Sequence, residues 1–256
     1  MILNNIIQKI EEKYPLNLAY NWDNVGLLVG DKNSNIEKIV VALEANEKVI
    51  DEAINEEVNL IITHHPFLFS KLNKIVKDDL KGNLVHKLIK NDISIYSMHT
   101  NFDIAQDGLN DYFLELMNLS SEEVLEQTFE NDGLGRIVNI DKNLKELSLE
   151  IKKNLNISDL RVVGNLENTC KKVAIVTGSG SSLMSLCVEK NIDTLITGDV
   201  KYHEAQDALD MNLNVIDCGH FGSEDIFKSV MKRFLDNTFN VSVIESRVNL
   251  NPFKIL

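Results

Sequence analysis

Short apolar runs alternate along the chain with longer segments of helical periodicity. The runs at 39–43, 59–63 and 93–98 are almost entirely apolar, which is typical of strands buried on both faces. The segments between them, 45–58 and 78–91, repeat their apolar residues at helical spacing. This order predicts an α/β fold with mostly parallel strands covered by helices.

The same alternation continues in the second half of the chain, after a helical segment at 108–118. Further strands are predicted at 135–140, 159–164, 172–178, 193–198, 213–219 and 239–246. Helices are predicted between some of them, at 142–155, 181–191, 201–211 and 223–236. The acidic, turn-rich stretch at 120–135 is the best domain boundary, and it indicates a first domain at 1–126 and a second at 127–245.

A weak internal repeat relates the two halves. An offset of 134 residues places Lys38–Thr63 on Lys172–Thr197 without a gap and matches their apolar patterns. The next strand of each half is followed by a histidine and, four residues later, by a carboxylate. These pairs are His99 with Asp103 and His220 with Glu224. The repeat predicts two related α/β domains from a duplication, with a site in the cleft between them.

Composition and charge exclude several classes of partner. The net charge is −13, and only four arginines are present, so binding to bulk nucleic acid or to an anionic membrane is disfavoured. No apolar stretch is long enough to span a bilayer, and the first residues lack the pattern of a secretory signal. We therefore expect a soluble cytoplasmic protein with its three cysteines reduced and buried.

The candidate chemistry gathers where predicted strands end. His64 and His65 follow one strand, Asp103 lies just past another, and His220 follows a third. Ligands of α/β proteins collect at the carboxyl ends of strands, so these groups are candidate metal ligands. Glu224 lies one turn after His220, so both can face one ion. Imidazole and carboxylate together suit zinc, manganese, iron, cobalt or nickel.

Other conspicuous residues carry weaker signals. His99 is open to three interpretations, as an orienting neighbour of a ligand, a proton carrier or a direct ligand. His86 and His203 lie in helical segments and are interpreted as structural. The glycine-rich turn at 177–182 is interpreted as a tight strand-to-helix turn rather than an anion cradle, and Trp22–Asn24 as a loop able to line a pocket.

Five motifs together resemble a known family. They are NWDNVGLLVG (21–30), THHP (63–66), MHTNFD (98–103), TGDVKYHEA (197–205) and DCGHFGSE (217–224). In this order they resemble the Nif-three-like proteins, whose bacterial members carry the name GTP cyclohydrolase 1 type 2 homologue. The resemblance spans nearly the whole chain.

The resemblance implies a pair of α/β domains that assembles as a ring-shaped homohexamer. It also implies two divalent metal ions per subunit, such as zinc, iron or manganese, in the cleft. The metal ligands would be His64, His65, Asp103, His220 and Glu224. Five ligands for two ions imply a bridge, for which Glu224 or Asp103 is suited because a carboxylate has two oxygens. The C-terminal tail at about 246–256 resembles the family's ending, which packs back on the first domain.

Two functional hypotheses follow. The first is a two-metal hydrolase of a nucleotide-like or other small substrate, with opening of the GTP purine ring as the named case. In this hypothesis His99 carries the proton, and Lys201 or the turn at 178–182 contacts the phosphates of the substrate. The second is a metal-binding regulatory or scaffold protein that acts through protein partners. A metal site that keeps an open position favours the first hypothesis.

Overall fold

The computed structural model describes residues 1–121 and 123–255, which form two compact units. The first unit comprises Met1–Phe102 and Phe227–Leu250, and the second comprises Asp103–Ile226 and Asn251–Leu256. Each unit contains one β-sheet with its own helices. The two sheets agree with the predicted α/β class.

Helices and strands alternate along most of the chain. The strands are β1 (Gly26–Val29), β2 (Lys38–Ala42), β3 (Leu60–Thr63), β4 (Ser94–Ser97), β5 (Glu123–Gln127), β6 (Gly133–Asn143), β7 (Arg161–Val163), β8 (Thr169–Ser179), β9 (Thr194–Gly198), β10 (Asn214–Asp217) and β11 (Ser242–Glu245). The α-helices are α1 (Leu3–Lys13), α2 (Glu47–Asn55), α3 (Leu80–Lys90), α4 (Thr100–Ile104), α5 (Leu109–Leu116), α6 (Leu144–Asn154), α7 (Met184–Glu189), α8 (Tyr202–Asp210), α9 (His220–Glu224) and α10 (Phe227–Thr238). Short 3₁₀ turns lie at Leu16–Leu18 and Ser181–Leu183.

Local chemistry marks both ends of several helices. Asn46 and Asp79 accept hydrogen bonds from backbone N–H groups three residues later, so they cap the starts of α2 and α3. Six helices are followed by a residue with φ between 52° and 57°, the left-handed region in which asparagine is tolerated better than most residues. These residues are Glu57, Asp92, Asn118, Asn156, Asn191 and Asn212.

The first sheet has the strand order β1-β4-β3-β2-β11. Its inner pairs are parallel, and only the edge strand β1 runs antiparallel to its neighbour. One face packs against α2 and α3 through buried residues such as Val40, Ile61 and Leu84. On the other side α10 packs against β2 and β11. The prediction of a mostly parallel sheet holds for this unit.

The second sheet has the order β5-β6-β8-β9-β10-β7 and is of mixed direction. Only the pairs β8 with β9 and β9 with β10 are parallel. Helices α5 and α6 cover one face, and α7 and α8 cover the other. The prediction of mostly parallel strands is therefore wrong for this sheet, because β5 and β6 form a hairpin and β7 adds an antiparallel edge.

The acidic stretch at 120–135 contains strands rather than a linker. Within its described part, β5 and the start of β6 pair in antiparallel register, with Leu125 buried between the partly buried Val124 and Glu126. The first unit consists of the residues up to Phe102 together with α10 and β11 from near the end of the chain, and β11 pairs with β2. Ser246 bonds to Glu52 of α2, whereas residues from Asn251 fall in the second unit, and Leu256 lies outside the described residues.

A four-strand core has the same topology in both units. In the first unit β1-β4-β3-β2 has one antiparallel edge and two parallel pairs, and β7-β10-β9-β8 repeats this in the second. The register also repeats, since Ile39 pairs with Leu60 and, 134 residues later, Val173 pairs with Thr194. The predicted duplication is consistent with these matching registers.

Two further expectations concern burial. The three cysteines, Cys170, Cys187 and Cys218, are free and buried, which confirms the prediction. Burial raises the pKa of the Cys187 thiol to about 12, so this sulfur behaves as a small apolar group rather than as a nucleophile. Among the described helices, none combines the length and apolar character needed to cross a bilayer.

Candidate metal centre

Three histidines meet at the carboxyl ends of β3 and β4 in the first unit. His64 and His65 follow β3 directly, and His99 comes two residues after β4. One ring nitrogen from each lies within 4.8 Å of one from each of the others. The ring centroid of His64 lies 5.4 Å from that of His65 and 5.3 Å from that of His99. Parallel pairing of β3 with β4 produces this cluster, because it places both strand ends at one edge of the sheet.

Hydrogen bonds fix which nitrogen two of these rings can offer to a metal. The fully buried His64 donates from Nδ1 to the carbonyl oxygen of Met98 at 2.8 Å. His99 donates from Nδ1 to Asp23 Oδ1 at 3.0 Å. A carbonyl or carboxylate oxygen only accepts, so in the neutral imidazoles the proton lies on Nδ1 and the lone pair on Nε2. Metal-binding histidines are oriented in this way.

Asp23 anchors His99 from a loop that precedes β1. Its side chain is fully buried and accepts hydrogen bonds from His99 Nδ1, the Thr100 amide at 3.0 Å and the Thr100 hydroxyl at 2.5 Å. Burial by itself raises the pKa of this carboxyl, but the hydrogen bonds from His99 and Thr100 outweigh it and lower the pKa to about 2. Asp23 is therefore ionised at neutral pH and fixes the orientation of the His99 ring.

His65 is held through its backbone and has a more exposed ring. Its amide donates to the Leu43 carbonyl at 2.8 Å, and its carbonyl accepts from the Thr63 hydroxyl at 2.9 Å. Its side chain is 24% exposed, with Nδ1 3.8 Å from a carboxylate oxygen of Glu44. His65 is thus the more accessible member of the three-histidine group.

His220 and Glu224 lie together in the second unit, at the two ends of the single-turn helix α9. His220 Nε2 is 2.9 Å from Glu224 Oε2, and its Nδ1 is 2.8 Å from Asp199 Oδ2. Glu224 is buried, whereas Asp199 is about half exposed. The predicted spacing of four residues therefore places this histidine and this acid in contact, as expected for one helical turn.

The loops that carry Asp199 and His220 are fixed by one buried carboxylate. Asp217, at the end of β10, accepts hydrogen bonds from the Val200 amide at 3.2 Å and the Gly219 amide at 2.9 Å. Its other partner is Arg161 of β7. Asp217 thus ties both loops to the sheet edge, which holds the Asp199 carboxylate against the His220 ring.

Gly178 makes room for the Glu224 carboxylate. A Cβ atom at this position would lie 2.1 Å from Glu224 Oε1, well inside contact distance, and its φ of +67° is itself unfavourable for side chains. Its amide donates to Ser223 Oγ at 3.0 Å, beside Glu224 in α9. A glycine is required here because any side chain would displace the carboxylate.

Asp103 is placed differently from the other predicted ligands. It lies in α4 and is the first residue of the second unit, so it is not part of the three-histidine group of the first. It is 7% exposed, and its backbone carbonyl accepts from the buried Asn110 side chain at 3.0 Å. Its assignment as a ligand stays a prediction.

The weaker candidates lie outside these groups. His86 and His203 are exposed on α3 and α8, in line with their structural interpretation. At the end of β8 and just after it, the Gly178 and Gly180 amides donate to the hydroxyls of Ser223 and Thr197. These amides are occupied within the protein, so they do not form an anion cradle.

Sequence reasoning missed the two carboxylates that hold the histidines. Asp23 lies in a segment that the sequence marks only as a pocket loop, and Asp199 lies in the motif at 197–205 without an assigned role. The repeat offers a usable signal for the latter, because an offset of 134 residues places Asp199 on His65. An acid that the repeat places on a candidate ligand is therefore itself a candidate site residue.

The residues present fit a divalent metal. Imidazole nitrogens with fixed tautomers, together with a buried carboxylate, are the donor set of zinc, iron and manganese sites. The outer partners, a backbone carbonyl for His64 and carboxylates for His99 and His220, are those that normally orient histidine ligands.

Comparison with known proteins identifies a family over nearly the full length. A family model described as Duf34/NIF3 (NGG1p interacting factor 3) matches residues 1–252. A Clostridium perfringens protein named GTP cyclohydrolase 1 type 2 homolog is 40% identical over 265 residues and covers 100% of both chains.

Solved structures share the fold. The Staphylococcus aureus hypothetical protein SA1388 aligns over 100% of this chain and 99% of its own, with a TM-score of 0.94 and 28% identity. Reduced HcgD from Methanocaldococcus jannaschii aligns over 97% of this chain and 98% of its own, with a TM-score of 0.85 and 31% identity. The family resemblance predicted from the five motifs is confirmed.

Proposed function

The chain belongs to the Duf34/NIF3 family, and from this premise we propose that it is a metal-dependent hydrolase of a nucleotide-like or other small substrate. The name of the C. perfringens relative supports a GTP cyclohydrolase-type reaction as the first to test. Two divalent ions of zinc, iron or manganese would be bound by His64, His65, Asp103, His220 and Glu224.

The observation that carries this proposal is the three-histidine group of the first unit. Ring nitrogens of the three histidines lie within 4.8 Å of one another, a spacing that lets two of them bind an ion while the third lies beside it. His64 contributes from a fully buried position, where its Nδ1 donates to the Met98 carbonyl oxygen and its Nε2 carries the lone pair that a metal needs. This arrangement favours a metal-binding role for the three histidines over a role in packing or at the surface.

A bound metal pair would lower the pKa of a water molecule and polarise the substrate. The residues of the chain hold the ions and manage protons. His99 keeps a proton on Nδ1 because this N–H donates a hydrogen bond to Asp23, so its Nε2 is able to take a proton from a reacting group. The ionised Asp23 then stabilises the resulting imidazolium. We assign His99 as the proton carrier on this basis.

Charge sets a condition on the substrate. The chain carries a net charge of −13, and the proposed ligands add carboxylates at the site, so an anionic substrate such as a nucleotide is repelled by the metal-free protein. Divalent ions reverse the sign locally. We therefore expect an anionic substrate to bind only to metal-loaded protein.

The test combines metal content with turnover. Purified protein loaded with zinc or manganese should hold two ions per chain by elemental analysis, and loss of purine absorbance would report ring opening of GTP. The matched control is the His64→Ala/Glu224→Ala variant, which should bind no stoichiometric metal. Equal rates for wild type and control would reject the cyclohydrolase reaction, and failure to bind metal would reject the hydrolase proposal itself.

A second candidate function is that of a metal-binding regulatory or scaffold protein. The observation that favours it is an exposed apolar segment that runs from after β3 to the first residue of α3, with 36–71% exposure at Leu72, Ile75, Val76 and Leu80. Such a segment suits contact with another protein, including further copies in the predicted ring-shaped homohexamer. Light scattering should give the mass of six chains for the wild type and a smaller mass for Ile75→Ser/Leu80→Ser. Metal content should not change.

A further inference from the structure

An aromatic cluster lies beside the three-histidine group in the first unit. Tyr20 and Trp22 stack with their ring centroids 5.7 Å apart and their planes 17° apart. Phe69 lies 6.1 Å from Trp22, and the edge of the cluster reaches His99, whose ring is also 6.1 Å from Trp22. Trp22 and Phe69 are nevertheless 59% and 58% exposed. The only tryptophan of the chain is therefore presented to solvent next to candidate metal ligands.

Polar bonds hold this cluster in place on both sides of Trp22. Asp23 is bonded to His99 and Thr100, and the Tyr20 amide donates to the Thr100 hydroxyl at 3.1 Å. The Asn24 side chain donates to the Leu68 carbonyl, which fixes the loop beside Phe69. The loop is therefore tightly anchored, so the exposure of Trp22 is a fixed property of the fold and not the result of a loose end.

The cluster has the size and position of a site for one planar ring. Trp22 offers a large aromatic surface, and aromatic pairs prefer centroid separations of about 4.5–7 Å. The ring centroids of Trp22 and His99 are 6.1 Å apart, and the His99 centroid lies 5.7 Å from that of His65 and 5.3 Å from that of His64. A ring bound at Trp22 would therefore lie beside the histidine group. Three aromatic residues are too few for a stable protein interface, which uses about 20–30 residues on each side.

We propose that Tyr20, Trp22 and Phe69 bind the planar heteroaromatic ring of the ligand that is processed at the histidine group, with a bicyclic nitrogen heterocycle as the preferred class. The inference rests on the proposed function for the identity of the neighbouring site. It adds the residues that would hold the ring of that substrate, which the metal ligands alone do not determine. A bicyclic ring is favoured because stacking strength grows with the ring area in contact.

The test uses the fluorescence of Trp22, which is the only tryptophan in the chain. The probes are guanosine, cytidine and ribose 5-phosphate, which carry a bicyclic ring, a single ring and no ring. Guanosine should quench Trp22 saturably and bind most tightly by calorimetry, cytidine should bind more weakly, and ribose 5-phosphate should leave the fluorescence unchanged. Each titration is run on zinc-loaded and on chelator-treated protein.

Variants separate stacking from general effects. Trp22→Ala should weaken guanosine binding about 5- to 140-fold, the equivalent of losing one stacked base, whereas Trp22→Phe should retain most of the affinity. The matched control, Phe253→Ala, removes another strongly exposed aromatic residue and should have no effect. Zinc content should be the same in all three variants, since none of them removes a proposed ligand.

The outcomes distinguish this inference from the proposed function. Equal affinity for guanosine and ribose 5-phosphate, or an unchanged guanosine affinity in Trp22→Ala, would overturn the stacking site. A change in oligomer mass in Trp22→Ala, without a change in guanosine affinity, would assign the cluster to chain assembly instead. If zinc fails to bind but guanosine still quenches Trp22, the metal proposal fails while the ring site stands.

Discussion

The two units place different chemistry on the same four-strand core. After β3 of the first unit the chain continues with His64 and His65, whereas the equivalent positions in the second unit are Gly198, the last residue of β9, and Asp199. The first unit therefore offers imidazole nitrogens at this strand end, and the second offers a carboxylate that orients a histidine from elsewhere. A duplicated scaffold fixes where side chains emerge, and substitution at those points decides what they do.

The next strands of the two units, β4 and β10, align with an offset that is one residue shorter than the offset between the two histidine and acid pairs. Matching pairs such as Leu60 with Ser94 and Thr194 with Asn214 relate β4 to β10 by 120 residues, which places His99 on Gly219 and not on His220. The sequence alignment of the two histidine and acid pairs is therefore wrong in register. His220 begins a helix and contacts an acid one turn later, while His99 precedes its helix and is anchored by Asp23.

The largest expected effect comes from removing one ligand in each unit. If both units contribute ligands to one pair of ions, His64→Ala and Glu224→Ala should each weaken the binding of both ions. The loss of affinity should exceed the factor of about 10 to 100 that is typical when a residue that orients a metal ligand is removed. The number of ions retained after dialysis measures this. His86→Ala, which removes an exposed histidine of α3, should retain both ions. Loss of only one ion in each variant would mean that the two units bind metal independently.

The orienting acids provide a sharper comparison. Asp199→Asn removes the carboxylate that accepts from Nδ1 of the proposed ligand His220 and should weaken metal binding about 10- to 100-fold. Asp23→Asn removes the carboxylate that accepts from Nδ1 of the proton carrier His99, so it should slow turnover and leave metal affinity unchanged. Only Asp23→Asn should also lower the free energy of unfolding, because its side chain is fully buried whereas that of Asp199 is 51% exposed. Metal titration and urea unfolding of both variants would test this asymmetry, and equal stability losses would contradict it.

The stability of the first unit should depend on acid pH through Asp23. The folded-state pKa of about 2 lies below the ordinary value of 3.8, so its contribution is present above pH 3.8 and is lost as pH falls toward 2. The shift corresponds to about 2 kcal/mol. The stability difference between wild type and Asp23→Asn should therefore shrink by this amount between pH 5 and pH 2, as measured by urea unfolding. A constant difference across this range would show that the carboxyl does not titrate with folding.

The smallest expected effect comes from two glycine substitutions in the second unit. Together they separate the strain of a side chain at positive φ from the crowding of the Glu224 carboxylate. Gly178→Ala and Gly219→Ala both place a side chain at positive φ, with φ of 67° and 69°, and each should destabilise the protein by about 1–2 kcal/mol. Only Gly178→Ala also brings a Cβ against Glu224, because nothing lies within 4 Å of a Cβ at Gly219. Metal affinity should therefore fall in the first variant and stay unchanged in the second. Equal metal affinities would remove the argument for Gly178.

Much of the fold was predictable because its elements carry strong local signals. β2, β3 and β9 are apolar and buried along nearly their whole length, so they stand out as runs. Helix α1 was not predicted, although Leu3, Ile6, Ile7 and Ile10 recur at helical spacing and are all buried. The composition of β5 does not indicate a strand, because it has two glutamates and only one buried leucine, and its strand conformation depends on pairing with β6.

The candidate site was predictable in part for the same reason. His64, His65, His220 and Glu224 lie beside strand ends that the sequence locates, so their proximity to a sheet edge follows from the alternation of elements. The anchoring acids were not predictable from spacing. Asp23 and His99 are 76 residues apart, and their contact depends on how β1 joins the edge of the sheet.

The sequence by itself determined the residue types, the repeated alternation of strand and helix, and the histidines and acids at strand ends. These properties are local, because periodicity and capping act within a few residues. The tertiary structure decided that His99 joins His64 and His65, that Asp23 and Asp199 orient their histidines, and that Trp22 stays exposed beside them. The physical reason is that strand register and sheet edges determine long-range contacts, and a shift of one residue changes which side chains meet.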